Sequence, residues 1–309
     1  MQARDWYAIR APLVAPRLCA AIGGAPEERA AGPSDNELQR SVGVVRIVLE
    51  GSERGTRIAH VFQRYPLRVM FPRTCSSEVE QAVLVNASGG VAGGDRLEFA
   101  ITALPNASAA VTSQAAEKVY RALSEAARIS TRLKVSEAAK LAWLPQETIV
   151  FNRARLSRET WIDLVSGAEL LALEWLVLGR TAHGEELAAG HLNDSWRVRI
   201  DGRLAWADSF RVTDGMFPRL RSRALLSSSK AIATLIFFGP HPNRRLEFFR
   251  DLLPSPDCRF AATLVSGLLV ARFAADRSSD LRRVLRSLLQ EFDREFGPGP
   301  FRVPKMWSC

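Results

Sequence analysis

Hydrophobic residues in the middle of the chain alternate with polar ones, which is the period of a β-strand with one buried face. Four segments each contain an alternating run, a short polar turn and a second run: Arg96–Ser113, Ser130–Trp143, Glu159–Glu174 and Asp194–Phe210. Their turns follow one another at intervals of roughly 30 to 35 residues, at Pro105-Asn106, Ser136, Ser166-Gly167 and Asp201-Gly202. This repetition predicts stacked β units, as in a β-solenoid, although consecutive hairpins of a β-sandwich would give the same pattern.

Helical spacing is found mainly near the end of the chain. From Ser279, the apolar residues Leu281, Val284, Leu285, Leu288, Leu289, Phe292 and Phe296 predict an amphipathic helix that ends at Gly297-Pro298. Two apolar strands are predicted before it, at Ala231–Phe238 and Phe260–Phe273, and a short helix is also predicted at Gln114–Arg128. We therefore expect a mainly β fold of stacked strand units, with a few helices including a C-terminal one.

The first part of the chain differs from the rest. Residues 1–40 contain clusters of Gly, Pro, Ser, Asp and Asn without sustained periodicity, which predicts a flexible N-terminal extension. Residues 41–309 are expected to form a single β-rich domain. The four cysteines are widely separated and the apolar residues near the start are interrupted by charges, so we expect a cytoplasmic protein without a signal peptide or membrane span.

The formal net charge of the chain is +9, and most of it lies in the last third. From Arg211 to Cys309 there are 17 basic and 9 acidic residues. This excess favours either an acidic partner surface or an ordinary solvated arginine-rich face. Because no helix-turn-helix, zinc-finger or basic–aromatic motif accompanies the charge, nucleic acid is not an expected partner.

The chain lacks the common catalytic motifs, and its candidate chemistry rests on three acidic residues. Asp95 follows a glycine cluster (Gly89–Gly94), where its carboxylate either faces a groove or caps the turn. Glu174 ends an apolar run, so it either reaches the surface or is buried with a partner. Glu185 lies in a loop near His183, where the two side chains are either metal ligands or incidental surface charges.

Several motifs, taken in order, resemble the UreD/UreH family of urease accessory proteins. They are Leu84–Asp95 (LVNASGGVAGGD), Thr112–Arg121 (TSQAAEKVYR), Trp143–Ile149 (WLPQETI), Leu178-Gly179-Arg180 with Gly184-Glu185, and Pro304–Trp307 (PKMW), with a weaker match at Tyr65–Val69. Residues 1–40 match no part of the family pattern. Glu80-Gln81 stand where some members carry a Cys-His pair.

The resemblance implies a non-enzymatic scaffold for urease maturation with a β-rich, helical-solenoid-like fold. It implies UreF-like and UreG-like partners and apo-urease, in a dimeric hetero-oligomer. It also implies no tightly bound cofactor but nickel in transit through an internal polar tunnel. On this basis Asp95, Glu174 and Glu185 are expected along the nickel path.

Two other functions are consistent with the pattern of residues. One is a β-solenoid interaction module without a metal role. The other is a carbohydrate-active hydrolase, in which Asp95 and Glu174 would have to face one open groove as paired carboxylates.

Overall fold

The computed structural model describes residues 40–72, 79–180, 183–252, 255–297 and 299–308. The predicted extension therefore lies outside the described residues, apart from Arg40. The strands are β1 (Val42–Ser52), β2 (Gly55–Arg64), β3 (Leu67–Met70), β4 (Glu80–Asn86), β5 (Arg96–Ala103), β6 (Ser108–Ser113), β7 (Glu117–Val119), β8 (Ala127–Val135), β9 (Lys140–Leu144), β10 (Thr148–Val150), β11 (Arg155–Leu164), β12 (Glu169–Leu178), β13 (His191–Ile200), β14 (Arg203–Thr213), β15 (Ala231–Phe238), β16 (Arg259–Val265) and β17 (Leu268–Ala275). The helices are α1 (Pro242–Leu252) and α2 (Ser278–Phe296), with 3₁₀ segments at Asp214–Arg221 and Lys305–Ser308.

Two stacked sheets form the body of the fold. The outer sheet has the order β14-β13-β11-β8-β5-β1-β2, and the central sheet has the order β16-β17-β15-β12-β9-β6-β4-β3, with β10 and β7 attached beside β12. Strands β1, β5, β8, β11 and β13 run parallel, as do β4, β6, β9 and β12. Successive turns of the chain therefore each give one strand to each sheet, which confirms the predicted β-solenoid-like stacking.

The predicted turns are the corners of these coils. Pro105-Asn106, Ser136 and Ser166-Gly167 each connect a strand of the outer sheet to one of the central sheet. The fourth turn, Asp201-Gly202, instead joins β13 and β14 as a hairpin within the outer sheet. The alternative interpretation as consecutive hairpins thus holds only for this last repeat.

The strand β12 separates two cores, which explains why its sequence is continuously apolar. Leu170, Ala172 and Leu176 face the outer sheet and join the core between the sheets. Leu171, Leu173 and Trp175 face the opposite side, where they pack with the helices. A strand with both faces covered loses the polar alternation of a half-exposed one.

The helices pack on the face of the central sheet that points away from the outer sheet. The C-terminal prediction is confirmed: α2 begins at Ser278 and ends at Phe296, where Gly297 takes a φ of 87°. The helix α1 was not predicted, since its 11 residues bury only Arg245 and Phe249. Within the described part of the chain, neither helix is both long and apolar enough to cross a bilayer.

Two predictions of local structure need correction. The helix predicted at Gln114–Arg128 is wrong, because these residues form β7 and the start of β8. Pairing of β7 with β10 overrides the helix propensity of Ala, Glu and Lys. The strand predicted at Phe260–Phe273 is instead the hairpin β16–β17, whose turn residues Ser266 and Gly267 have φ of 49° and 81°.

Trp307 fixes the last described segment to a corner in the middle of the chain. Its side chain is 1% exposed, and its indole N–H donates to the carbonyl of Leu144 at 3.2 Å. Its ring packs against Trp175, with centroids 6.1 Å apart. The family-like WLPQETI and PKMW motifs therefore meet in space.

We expect Trp307→Ala to lower the free energy of unfolding by about 3–5 kcal/mol, because it opens a large cavity and removes a buried hydrogen bond. Trp161→Ala is the matched control. Trp161 is only partly buried and contacts Arg197 and Arg199, so its loss should cost clearly less. Urea unfolding followed by circular dichroism measures both, and equal losses would contradict the anchoring role.

Candidate functional site: a buried ion-pair cluster between two cavities

Glu174 is buried between the two sheets together with Arg158 and Asp194. Arg158 lies on β11 and is in register with Asp194 on the adjacent strand β13, so the two side chains point to the same face. Its Nε and Nη2 atoms donate to the two carboxylate oxygens of Asp194, at 2.8 and 2.7 Å. Glu174 approaches from β12 in the opposite sheet, with Oε2 3.3 Å from Arg158 Nε. This ion-pair cluster spans the core between the sheets.

The two oxygens of Glu174 have different environments. Oε1 accepts hydrogen bonds from Trp143 Nε1 and Thr160 Oγ1, both at 3.0 Å. Among the described residues, Oε2 has no hydrogen-bond donor, although Glu174 is buried, with only 4% of the residue exposed. Burial raises the pKa of the Glu174 carboxyl, Arg158 opposes this change and the charge of Asp194 adds to it.

A cavity lies on each side of the ion-pair cluster. The first, of about 320 Å³, is lined by Glu174 and Asp194 together with Asp208 and Arg272. The second, of about 310 Å³, is lined by Glu174 and Arg158 together with Asn86, Phe99, Glu117, Thr131, Gln146 and Thr148. Glu174 therefore borders both cavities, and its contact with Arg158 forms part of the wall between them.

Glu117 supplies a second carboxylate to the cavity that contains Arg158. Asn86 Nδ2 lies 3.1 Å from each of its oxygens. Burial raises the pKa of Glu117 to about 7, against the lowering effect of the Asn86 hydrogen bond, and the charge of Asp95 raises it slightly. This side chain therefore changes its charge near neutral pH.

Asp95 holds the glycine-rich turn together. Its two carboxylate oxygens accept hydrogen bonds from the backbone N–H groups of Ser41 and Ala92, both at 2.8 Å. This is the turn-capping alternative considered for the sequence. The nearby Gly90 is required because an added Cβ would lie 2.4 Å from the ring of Tyr120. Asp95 does not line either of the two cavities.

Glu185 holds the loop that follows β12. One of its oxygens accepts from the backbone N–H of Asn152, and the other pairs with Arg180. The guanidinium carbon of Arg180, Cζ, lies 4.3 Å from the centroid of the Phe151 ring. Gly179 has a φ of 85° and lies against the backbone of Glu185, so the loop closes tightly on itself. Glu185 lines neither cavity, and Asp95, Glu174 and Glu185 are not brought together at one site.

Known proteins share both the sequence and the extent of this domain. A family model described as UreD urease accessory protein matches residues 41–308. Urease accessory protein UreD of Xanthobacter autotrophicus is 40% identical over 270 residues, which cover 87% of this chain and 91% of that protein. The chain belongs to the UreD family.

Other UreD proteins give the same result. Urease accessory protein UreD of Azorhizobium caulinodans is 39% identical over 270 residues, covering 87% of this chain and 97% of its own. Urease accessory protein UreD 1 of Brucella melitensis biotype 1 is 36% identical over 272 residues, covering 88% and 95%. The resemblance seen in the ordered motifs is confirmed, and membership of this family of urease accessory proteins supports a role in urease maturation.

Arg158 and Asp194 of this UreD chain were not among the site residues predicted from the sequence. Both occupy inward positions of alternating strands, next to buried residues such as Leu156 and Trp196. In the sequence, each is a charged residue at an inward-facing position of an alternating strand. Such a residue indicates a buried ion pair, because a buried charge requires a partner. That signal alone does not identify the partner.

Many arginines in the basic last third of this UreD chain have acidic partners. Arg272 pairs with Asp208 at 2.6 Å, and Arg282 donates to both oxygens of Glu147. Such pairing reduces the excess charge available to an acidic partner. The described residues also contain no cluster of three or more His, Cys, Asp or Glu side chains that could hold a metal ion.

We expect stability to depend on pH through Glu117. Because its folded-state pKa is raised, the folded chain retains a proton between about pH 4.5 and 7 that the unfolded chain releases, so stability falls as pH rises through this range. Glu117→Gln should remove up to about 3 kcal/mol of this loss at pH 8 and none below pH 4.5. Urea unfolding from pH 5 to pH 8 tests this, with Glu98→Gln as control, because Glu98 is only partly buried and pairs with Arg46 outside both cavities. Parallel pH profiles for wild type and Glu117→Gln would contradict it.

Proposed function

We propose that this chain is a cytoplasmic urease maturation scaffold that joins UreF-like and UreG-like proteins to apo-urease in a dimeric hetero-oligomer. We further propose that nickel, as cargo, passes through the two cavities on its way to the urease active site. The observation that carries the proposal is the position of Glu174, a buried carboxylate that borders both cavities.

The chemistry of the cavity walls supports the transport of a divalent cation. Carboxylate and hydroxyl oxygens are suitable ligands for hydrated divalent ions, and both cavities present them. Transit requires several weak sites, because one strong site would retain the ion. Carboxylates distributed over the two cavities, at Glu117, Glu174 and the Arg272-paired Asp208, fit this requirement better than a compact ligand cluster.

The contacts of the three predicted path residues favour Glu174. Asp95 and Glu185 each use both carboxylate oxygens in local contacts that hold a turn or a loop. Glu174 borders both cavities and has one oxygen without a hydrogen-bond donor in the described structure. A path through Asp95 and Glu185 stays a prediction, to be tested beside Glu174.

The same contacts weigh against the hydrolase alternative. A glycosidase needs two carboxyl groups that flank a substrate in an open groove. Glu174 is 4% exposed in the core, whereas Asp95 is 6% exposed and bonded to backbone N–H groups outside both cavities. An interaction module without a metal role remains an alternative. Nickel delivery by the variants distinguishes it from a nickel path.

The maturation role is tested by co-expressing the urease structural subunits and the other accessory proteins with and without this chain. We expect nickel content and urease activity to disappear when this chain alone is omitted. Full activity in its absence would contradict the proposed function.

We expect Glu174→Gln to lower nickel incorporation into urease by about tenfold, corresponding to the loss of one charged contact of ~1.5 kcal/mol. Glu169→Gln is the matched control, since Glu169 lies on the same strand but pairs with Lys140 outside both cavities. Asp95→Asn and Glu185→Gln should act mainly on stability, so their nickel delivery should recover at low temperature. Wild-type delivery by Glu174→Gln would favour the interaction module.

A further inference from the structure

We propose that Arg158 is the gate of this path: its guanidinium occupies the place between Glu174 and Asp194 where a divalent cation would otherwise bind. It must move aside before cargo passes from one cavity to the other. This inference rests on the proposed function and adds to it a residue that controls passage.

The position of Arg158 makes it a barrier. Arg158 lines one cavity, Asp194 lines the other, and Glu174 lines both. The side chain of Arg158 is 6% exposed and that of Glu174 is 3% exposed, so their contact lies deep inside the fold. An ion that travels between the cavities by way of Glu174 must therefore pass the guanidinium.

The contacts of Arg158 are uneven, and its movement requires that the pair with Asp194 breaks. The pair with Asp194 is bidentate, whereas Glu174 Oε2 lies 3.3 Å from Nε without forming a hydrogen bond. Nη1 donates to the neutral hydroxyl of Thr148 at 3.1 Å, on the wall of the cavity that Arg158 lines. Rotation into this cavity would expose Glu174 Oε2, and it would leave the guanidinium near other polar groups.

Charge and ligand type explain why a guanidinium occupies this position. Glu174 and Asp194 present oxygen atoms from opposite sheets, as the two sides of a cation site would. Without Arg158, the negative charges of the two carboxylates would have no compensating cation. The pair would then hold a divalent ion strongly. With Arg158 present, the ion must compete with a resident cation, which keeps the site weak enough for transit.

The test compares nickel binding and nickel delivery for variants of the full-length chain. Arg158→Gln removes the resident cation and should bind nickel roughly tenfold more tightly than the wild type in equilibrium dialysis. It should also deliver less nickel to urease. Arg158→Lys retains the positive charge and should bind nickel as weakly as the wild type.

The charge-balanced variant Arg158→Gln/Asp194→Asn separates the gate from the nickel trap. It removes one charge of each sign, so it should bind nickel no more tightly than the wild type. Because the strong site is absent, it should deliver more nickel than Arg158→Gln. Circular dichroism establishes that each variant is folded, and Arg158→Met replaces Arg158→Gln in both comparisons if Arg158→Gln does not fold.

Tighter nickel binding by Arg158→Gln, together with higher delivery by the double variant than by Arg158→Gln, supports the gate. Nickel binding by Arg158→Gln no tighter than wild type overturns it, as does delivery by the folded double variant that is no higher than that of Arg158→Gln. Glu174→Gln in the same assay distinguishes the two proposals. If Glu174→Gln lowers delivery while the Arg158 variants fail these expectations, the path stands and the gate does not; if Glu174→Gln has no effect, the path itself fails.

Discussion

The compensation of buried charge between the two sheets is the constraint on which the centre of this structure depends. Transfer of an ion from water into a protein core costs several kcal/mol unless partners replace its hydration. Arg158 therefore requires Asp194, and Glu174 requires Trp143, Thr160 and the guanidinium. An apolar set of the same volume would fold with less cost, so these charges are more easily explained by function than by stability.

Parallel stacking makes this arrangement possible. Because neighbouring coils repeat in register, Arg158 and Asp194 meet on adjacent strands although they are distant in sequence. The face-to-face packing of the sheets then brings Glu174 to the same point. The UreD fold thereby places polar groups in series through an otherwise apolar core, with a cavity on each side.

The features that were predictable from the sequence are those determined over short distances. The turns at Pro105-Asn106, Ser166-Gly167 and Asp201-Gly202 follow from small residues that tolerate positive φ. The helix α2 follows from its apolar stripe. The strand β7 was missed because its pairing with β10 determines its conformation, and helix propensity carries no information about that pairing.

The same limit applies to the site. Glu174 stood out because it ends an apolar run, and its burial with a partner was one of two alternatives. Arg158 and Asp194 required knowledge of strand register, which depends on contacts between distant coils. Asp95 and Glu185 stood out through glycine-rich motifs, and their side chains hold those backbone segments in place.

The bond between Trp307 and Leu144 has a consequence for synthesis of the protein. The two residues are 163 positions apart, so the corner at Leu144 emerges from the ribosome long before its cover exists. During this interval the face of the central sheet that α2 later covers stays open, with large side chains such as Trp175 and Phe237 exposed. Uncovered apolar strands of this kind are prone to aggregate. The order of synthesis thus leaves this apolar face uncovered until the residues of α2 and Trp307 have been added.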